Sequence, residues 1–71
     1  MAFKEEWSYI ISRIKHIRQE KGWSIQRLAD EANIDSANMS RIESGKVDNI
    51  LLSTLYRIAE ALEVKLSDLV R

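Results

Sequence analysis

Cysteine and proline are both missing from this chain, glycine occurs twice and histidine once. Without cysteine there is no disulfide framework and no thiolate metal site. With His16 alone, a zinc site would need carboxylates, a poor donor set for that metal. His16 faces away from the Ile14 and Ile17 stripe and reads as an ordinary surface histidine. No apolar run exceeds three residues, which excludes a membrane-spanning helix. The opening MAFKEEWSY carries Glu5 and Glu6 where a signal peptide would be basic and then apolar. A reducing, cytoplasmic setting is the simplest expectation. The chain also lacks a Ser/His/Asp or Cys/His set, a glycine-rich phosphate loop and an acid pair that helices would bring into a cleft. Neither an enzyme nor a cofactor is expected.

What is there suits one small domain spanning residues 1–71. A chain this short buries only about 60% of its unfolded surface, so stability is marginal unless it is regular or oligomerises. Hydrophobic residues make up 45% and charged residues 31%, the balance of a globular rather than a disordered chain. Formal net charge is zero, which counts against nucleic acid, since many binding domains are basic. Distribution matters more than the total. Arg13, Lys15, Arg18, Lys21 and Arg27 fall in one stretch, while Glu5, Glu6, Glu60, Glu63 and Asp68 lie elsewhere. A positive face with an acidic side opposite it is the expectation, and such a face steers toward phosphate.

Apolar periodicity predicts helices throughout. Phe3, Trp7, Ile10, Ile14 and Ile17 step by three and four, giving a helix from about Lys4 to Lys21 that Gly22 ends in a left-handed conformation. Plain core is the main reading of that stripe; the alternative places Phe3 and Trp7 beyond the body, against a partner subunit. Ser24 caps a second helix, about Ile25 to Ala32, and Asn33 is its left-handed end. Asp35 caps a third, about Ser36 to Ser44, which Gly45 ends. Ser40-Arg41-Ile42-Glu43 also fits a capping box that would start a helix at Ser40. Asp35 already supplies a cap, however, and Met39 and Ile42 continue one apolar face. Leu52, Leu55, Ile58, Ala59 and Leu62 mark a fourth helix, about Leu52 to Leu62. Ser67 caps a short fifth, Asp68 to Val70. The prediction is all-α, with five helices and no strand.

Several features then coincide. Arg18 and Gly22 precede Ser24-x-x-x-Leu28-Ala29, then Ile34, then Met39-Ser40-Arg41-Ile42-Glu43-x-Gly45-Lys46, then Leu52-x-Thr54-Leu55-x-x-Ile58-Ala59-x-Ala61-Leu62. From about Ile10 to Leu69 this resembles the Cro/C1-type (XRE-like) helix-turn-helix family of small bacterial and phage transcriptional regulators. The resemblance implies a five-helix lambda-repressor-like domain with its motif at about residues 24–44. It places small Ala29 where the two motif helices come closest, Ile34 in the turn, and Met39 and Ile42 as pins of the recognition helix. It implies an ion pair between Arg18 and Glu43.

It also implies a partner, double-stranded DNA, and site residues. A recognition helix enters the major groove with its N-terminal half deepest. Matching positions nominate Ser36, Ala37, Asn38 and Arg41 for base edges. Asn38 suits the N6 and N7 atoms of adenine, Arg41 the O6 and N7 atoms of guanine, and Ala37 a thymine methyl. Gln26, Arg27, Ser40, Ser44, Lys46 and Asn49 are the phosphate candidates. Amides opening the second helix add to them, since a helix N-terminus favours an anion. Ile25 departs from the family, where a glutamine often opens the second helix; Gln26 stands one residue on. The loop before the fourth helix departs too, with Asn49-Ile50-Leu51 in place of a frequent proline and polar cap.

A domain of this size reads few base pairs alone, so a homodimer on a palindromic operator is expected. Leftover apolar side chains nominate Leu51, Tyr56, Val64, Leu66, Leu69 and Val70 for the dimer interface, with Trp7 or Phe3 as possible additions. The alternative function is a protein-binding module, an antitoxin-like partner of a second, unknown protein, with DNA binding secondary.

Overall fold

A computed structural model describes residues 3–47 and 50–70, with side chains placed from Glu6 onward. Five helices follow one another: α1 (Phe3–Glu20), α2 (Ile25–Ala32), α3 (Ser36–Glu43), α4 (Leu52–Leu62) and α5 (Leu66–Val70). Among the described residues there is no strand. Nor is any helix among them long and apolar enough to cross a membrane.

The apolar periodicity explains the packing. Ile14 and Ile17 of α1, Leu28, Ala29 and Ala32 of α2, Met39 and Ile42 of α3, and Leu55, Ile58, Ala59 and Leu62 of α4 join Leu69 of α5 in one buried cluster. α2 packs on α3 and α4, and α1 packs across α3, α4 and α5. Each inward set recurs at three- and four-residue steps, so one stripe of each helix faces the centre.

The helix ends are set by local chemistry. The Ser24 hydroxyl accepts the Arg27 amide at 3.0 Å, and an Asp35 carboxylate oxygen accepts the Asn38 amide at 3.3 Å. Gly22 and Asn33 take positive φ, as expected of residues that end helices in the left-handed region. Ser40 lies inside α3, so the capping-box pattern there starts nothing.

α4 has the expected span, with an unusual residue at its end, and α5 starts earlier than expected. α4 closes on Glu63, which holds φ 61° without being glycine or asparagine. The motif closes anyway because the Val64 amide reaches the Ala59 carbonyl at 3.0 Å and Val64 packs against the core. α5 starts at Leu66 rather than Asp68, and Ser67 is not its cap. The Asp68 carboxylate instead reaches back to the Lys65 amide at 3.0 Å.

Candidate nucleic-acid interface

The site is built from α2 and α3. Asn33 turns the chain between them, and the Ile34 amide donates back to the Ala29 carbonyl at 2.8 Å. Ala29 has no exposed surface, so the helices meet over a methyl group. α3 is then held from beneath. Met39, Ile42 and Glu43 point inward and are buried, while Ser36, Ala37, Asn38, Ser40 and Arg41 form its exposed outer row. Among the described residues, the side chains of Ser36, Asn38, Ser40 and Arg41 carry no intramolecular hydrogen bond. They are polar groups with open valences on a helix whose other side is fixed.

Glu43 provides much of that fixing. Its two carboxylate oxygens accept from Arg18 Nε at 2.7 Å and Nη2 at 3.0 Å. Arg18 Nη1 donates to the Trp23 carbonyl at 2.6 Å. One guanidinium therefore ties together α1, the α1–α2 connection and α3, in the fork geometry that arginine offers a carboxylate. Both residues are buried, and no buried described side-chain polar atom lacks a partner.

The phosphate candidates differ in their surroundings. Lys46 and Ser44 follow α3 directly and are exposed, with the Ser44 hydroxyl donating to the Arg41 carbonyl at 3.1 Å. Gln26 is exposed near the start of α2. Arg27 is engaged elsewhere: its Nε meets Glu31 at 3.0 Å, and its guanidinium lies 4.6 Å from the centre of the Trp23 ring. It lines a cleft of about 530 Å³ between α2 and α4, with Arg57, Glu60 and Glu63. Asn49 lies outside the described residues.

The basic stretch of the sequence does not form one positive face. Arg13 donates to the Asp68 carbonyl at 3.3 Å, Arg18 is buried with Glu43, Lys21 meets Glu63 at 3.2 Å and Arg27 meets Glu31. Consecutive helical residues point around the axis, so charges close in sequence separate in space. The exposed cations on and directly after α3 are Arg41 and Lys46.

The residues nominated for an interface also separate. Leu51 and Tyr56 are 72% and 54% exposed, and Val70 is exposed. Val64 and Leu66 are partly buried against the core. Leu69 is a correction: at 0% exposure it is a core residue and cannot contact a partner. Leu52, read from the sequence as part of the inner face of α4, is 68% exposed and adjoins Leu51. It opens α4, one turn beyond the last position the core can reach. Trp7 turns inward too, donating its indole N–H to the Val47 carbonyl. The Phe3 side chain lies outside the described residues. The main sequence reading of Trp7 as core holds; what periodicity does not show is its bond to Val47, or that the inner face of α4 stops short of Leu52.

Comparison with known proteins decides the family. Residues 13–71 match the family model of the Cro/C1-type HTH DNA-binding domain. The chain belongs to the Cro/C1-type helix-turn-helix family. It is 32% identical over 59 residues to the HTH-type transcriptional regulator SutR of Escherichia coli K12, which covers 83% of this chain and 33% of that protein. It is 30% identical to the antitoxin HipB of the same strain over 69 residues, covering 94% of this chain and 77% of HipB. The chain thus spans a third of SutR and about three quarters of HipB. Among solved structures, the N-terminal DNA-binding domain of SinR from Bacillus subtilis superposes with a TM-score of 0.82 at 31% identity, covering 90% of this chain and 93% of that one. SinR, a master regulator for biofilm formation, in complex with DNA gives 0.81 at 32% identity, covering 87% and 98%. As a Cro/C1-type domain the chain is a DNA-binding module of a transcription-regulator family, and the family is not one of enzymes.

Proposed function

We propose that this domain is a sequence-specific binder of double-stranded DNA that regulates transcription in the cytoplasm as a homodimer on a palindromic operator. The observation that carries the reading is the outer row of α3: Ser36, Ala37, Asn38 and Arg41 stand exposed on a helix pinned by Met39, Ile42 and the buried Glu43. In this reading α3 lies in the major groove, Arg41 forks onto a guanine and Asn38 pairs with an adenine. Lys46, Ser40, Ser44 and Gln26 meet phosphates, which fix register without reading sequence. Arg27 contributes only if it leaves Glu31 and Trp23.

Selection of bound duplexes from a random pool tests this. An inverted repeat with centres about one helical turn apart is expected. Arg41→Ala should relax preference at one position per half-site, each good bidentate contact discriminating by about 1–3 kcal/mol. Equal weakening on all sequences would make Arg41 a phosphate contact instead.

A second reading, a protein-binding antitoxin-like module, draws on the HipB relative, on the zero net charge and on the engaged Arg27. Salt separates the two. Binding through phosphate weakens steeply as salt rises, because counterions are released; binding of a protein partner depends on salt far less.

A further inference from the structure

The family match begins at Arg13, yet α1 already runs from Phe3. Residues 3–12 are helix outside the matched stretch, and Trp7 stands among them. Its indole Nε1–H donates to the Val47 carbonyl at 3.0 Å, across 40 residues of sequence, in a partly buried setting. Trp7, Ile10, Val47 and Ile50 all pack against the core. Val47 directly follows Lys46, whose amide donates to the Arg41 carbonyl at 3.0 Å. The backbone of this exposed lysine is therefore fixed on both sides, to α3 on one and to α1 on the other.

We infer that Trp7 is a positioning residue for Lys46: the first turns of α1 hold the segment after α3 so that the lysine meets the DNA backbone at a set place. This rests on the DNA reading above. The chain has no net charge to draw DNA in, so affinity depends on a few phosphate contacts. Lysine carries a long flexible stem, so whether its ammonium reaches a phosphate depends on where its backbone is held. An indole N–H is a donor only, so phenylalanine keeps the ring while deleting the anchor.

The test compares wild type, Trp7→Phe, Lys46→Ala and the double variant on a random-sequence DNA duplex two helical turns long. Affinity is measured across a salt series, and folding is checked by circular dichroism. Lys46→Ala should flatten the slope of log K against log salt by about 0.9, the value for one lost phosphate contact. Trp7→Phe should weaken binding and flatten the slope similarly, and the double variant should be no flatter than either single one. A Trp7→Phe protein with the wild-type slope, or one in which Lys46→Ala still removes a full contact, overturns the inference while leaving DNA binding in place. Wild type that fails to bind the duplex at any salt overturns both readings together. If Trp7→Phe does not fold, the wild-type chain carries the test. Coupling is reciprocal, so DNA must strengthen the anchor that favours it. The Trp7 indole N–H should then exchange more slowly with solvent on saturation with the duplex, relative to the Trp23 indole. Unchanged exchange overturns the inference.

Discussion

At the scale of single residues, the Arg18–Glu43 pair is the point of greatest sensitivity. Its two hydrogen bonds, together with the third from Arg18 to the Trp23 carbonyl, leave neither charge unpaired in a buried place. Removing one partner strands the other in a low dielectric, which costs about 3–5 kcal/mol. Glu43→Ala should therefore lower stability by that order in urea unfolding; a loss no larger than that of an exposed pair would show that the charges are effectively solvated. Replacing both, as in Arg18→Met with Glu43→Leu, should recover most of the loss. A residue of about 1 kcal/mol should remain from the Trp23 carbonyl, which loses its donor. The value of the pair is thus conditional: it holds α3 to α1, but its presence is not itself a large source of stability.

At the scale of elements, helix ends carry the clearest lesson. α4 closes on Glu63 in the left-handed region, where a side chain with a β-carbon costs about 1–2 kcal/mol. Its ion pair with Lys21 is largely exposed and contributes at most about 1 kcal/mol. Glycine relieves that strain but adds unfolded-chain entropy of about 0.4–1 kcal/mol, so Glu63→Gly should raise stability by no more than about 1 kcal/mol, seen as a slightly higher melting temperature; a fall would mean that the Lys21 pair and the glycine entropy together outweigh the backbone strain. These ends also show what was legible beforehand. Ser24, Asn33 and Asp35 announce α2 and α3 because caps are local, and the inward stripes follow from a repeat of three and four residues. The Cro/C1-type family and the outer row of α3 were likewise readable from residues 18–62. What stayed hidden is what depends on distant neighbours. The sequence puts Leu69 on the surface because nothing in a five-residue helix shows that α1 and α4 close over it. The sequence puts Leu52 in the core because the end of a hydrophobic face is set by the partner helix. The engagement of Arg27 with Trp23 and Glu31, and the bond from Trp7 to Val47, join side chains whose partners follow from three-dimensional placement.

At the scale of the whole molecule, size bears on assembly. The described chain measures 32 × 23 × 20 Å and carries one α3. Successive half-sites on one face of DNA lie about 34 Å apart, a spacing at which two copies side by side can touch. Leu51, Leu52 and Tyr56 are the exposed large apolar residues near the start of α4, and such clusters mark interaction surfaces. Leu51→Ser combined with Leu52→Ser should shift sedimentation toward the monomer. It should weaken binding to a two-half-site duplex while leaving a single half-site unaffected; loss at both would place these leucines on DNA instead. Caps join residues a few positions apart, whereas the guanidinium of Arg18 meets a carboxylate 25 residues away. Helical proteins form their local contacts quickly, in microseconds to milliseconds, and a tie that links three segments closes after them. Interactions absent from the transition state act on the rate of unfolding rather than of folding. The pair then works as a latch on lifetime: Glu43→Ala should reach the native state about as fast as wild type and leave it sooner, so that in a cell the protease, not the folding pathway, would register the change.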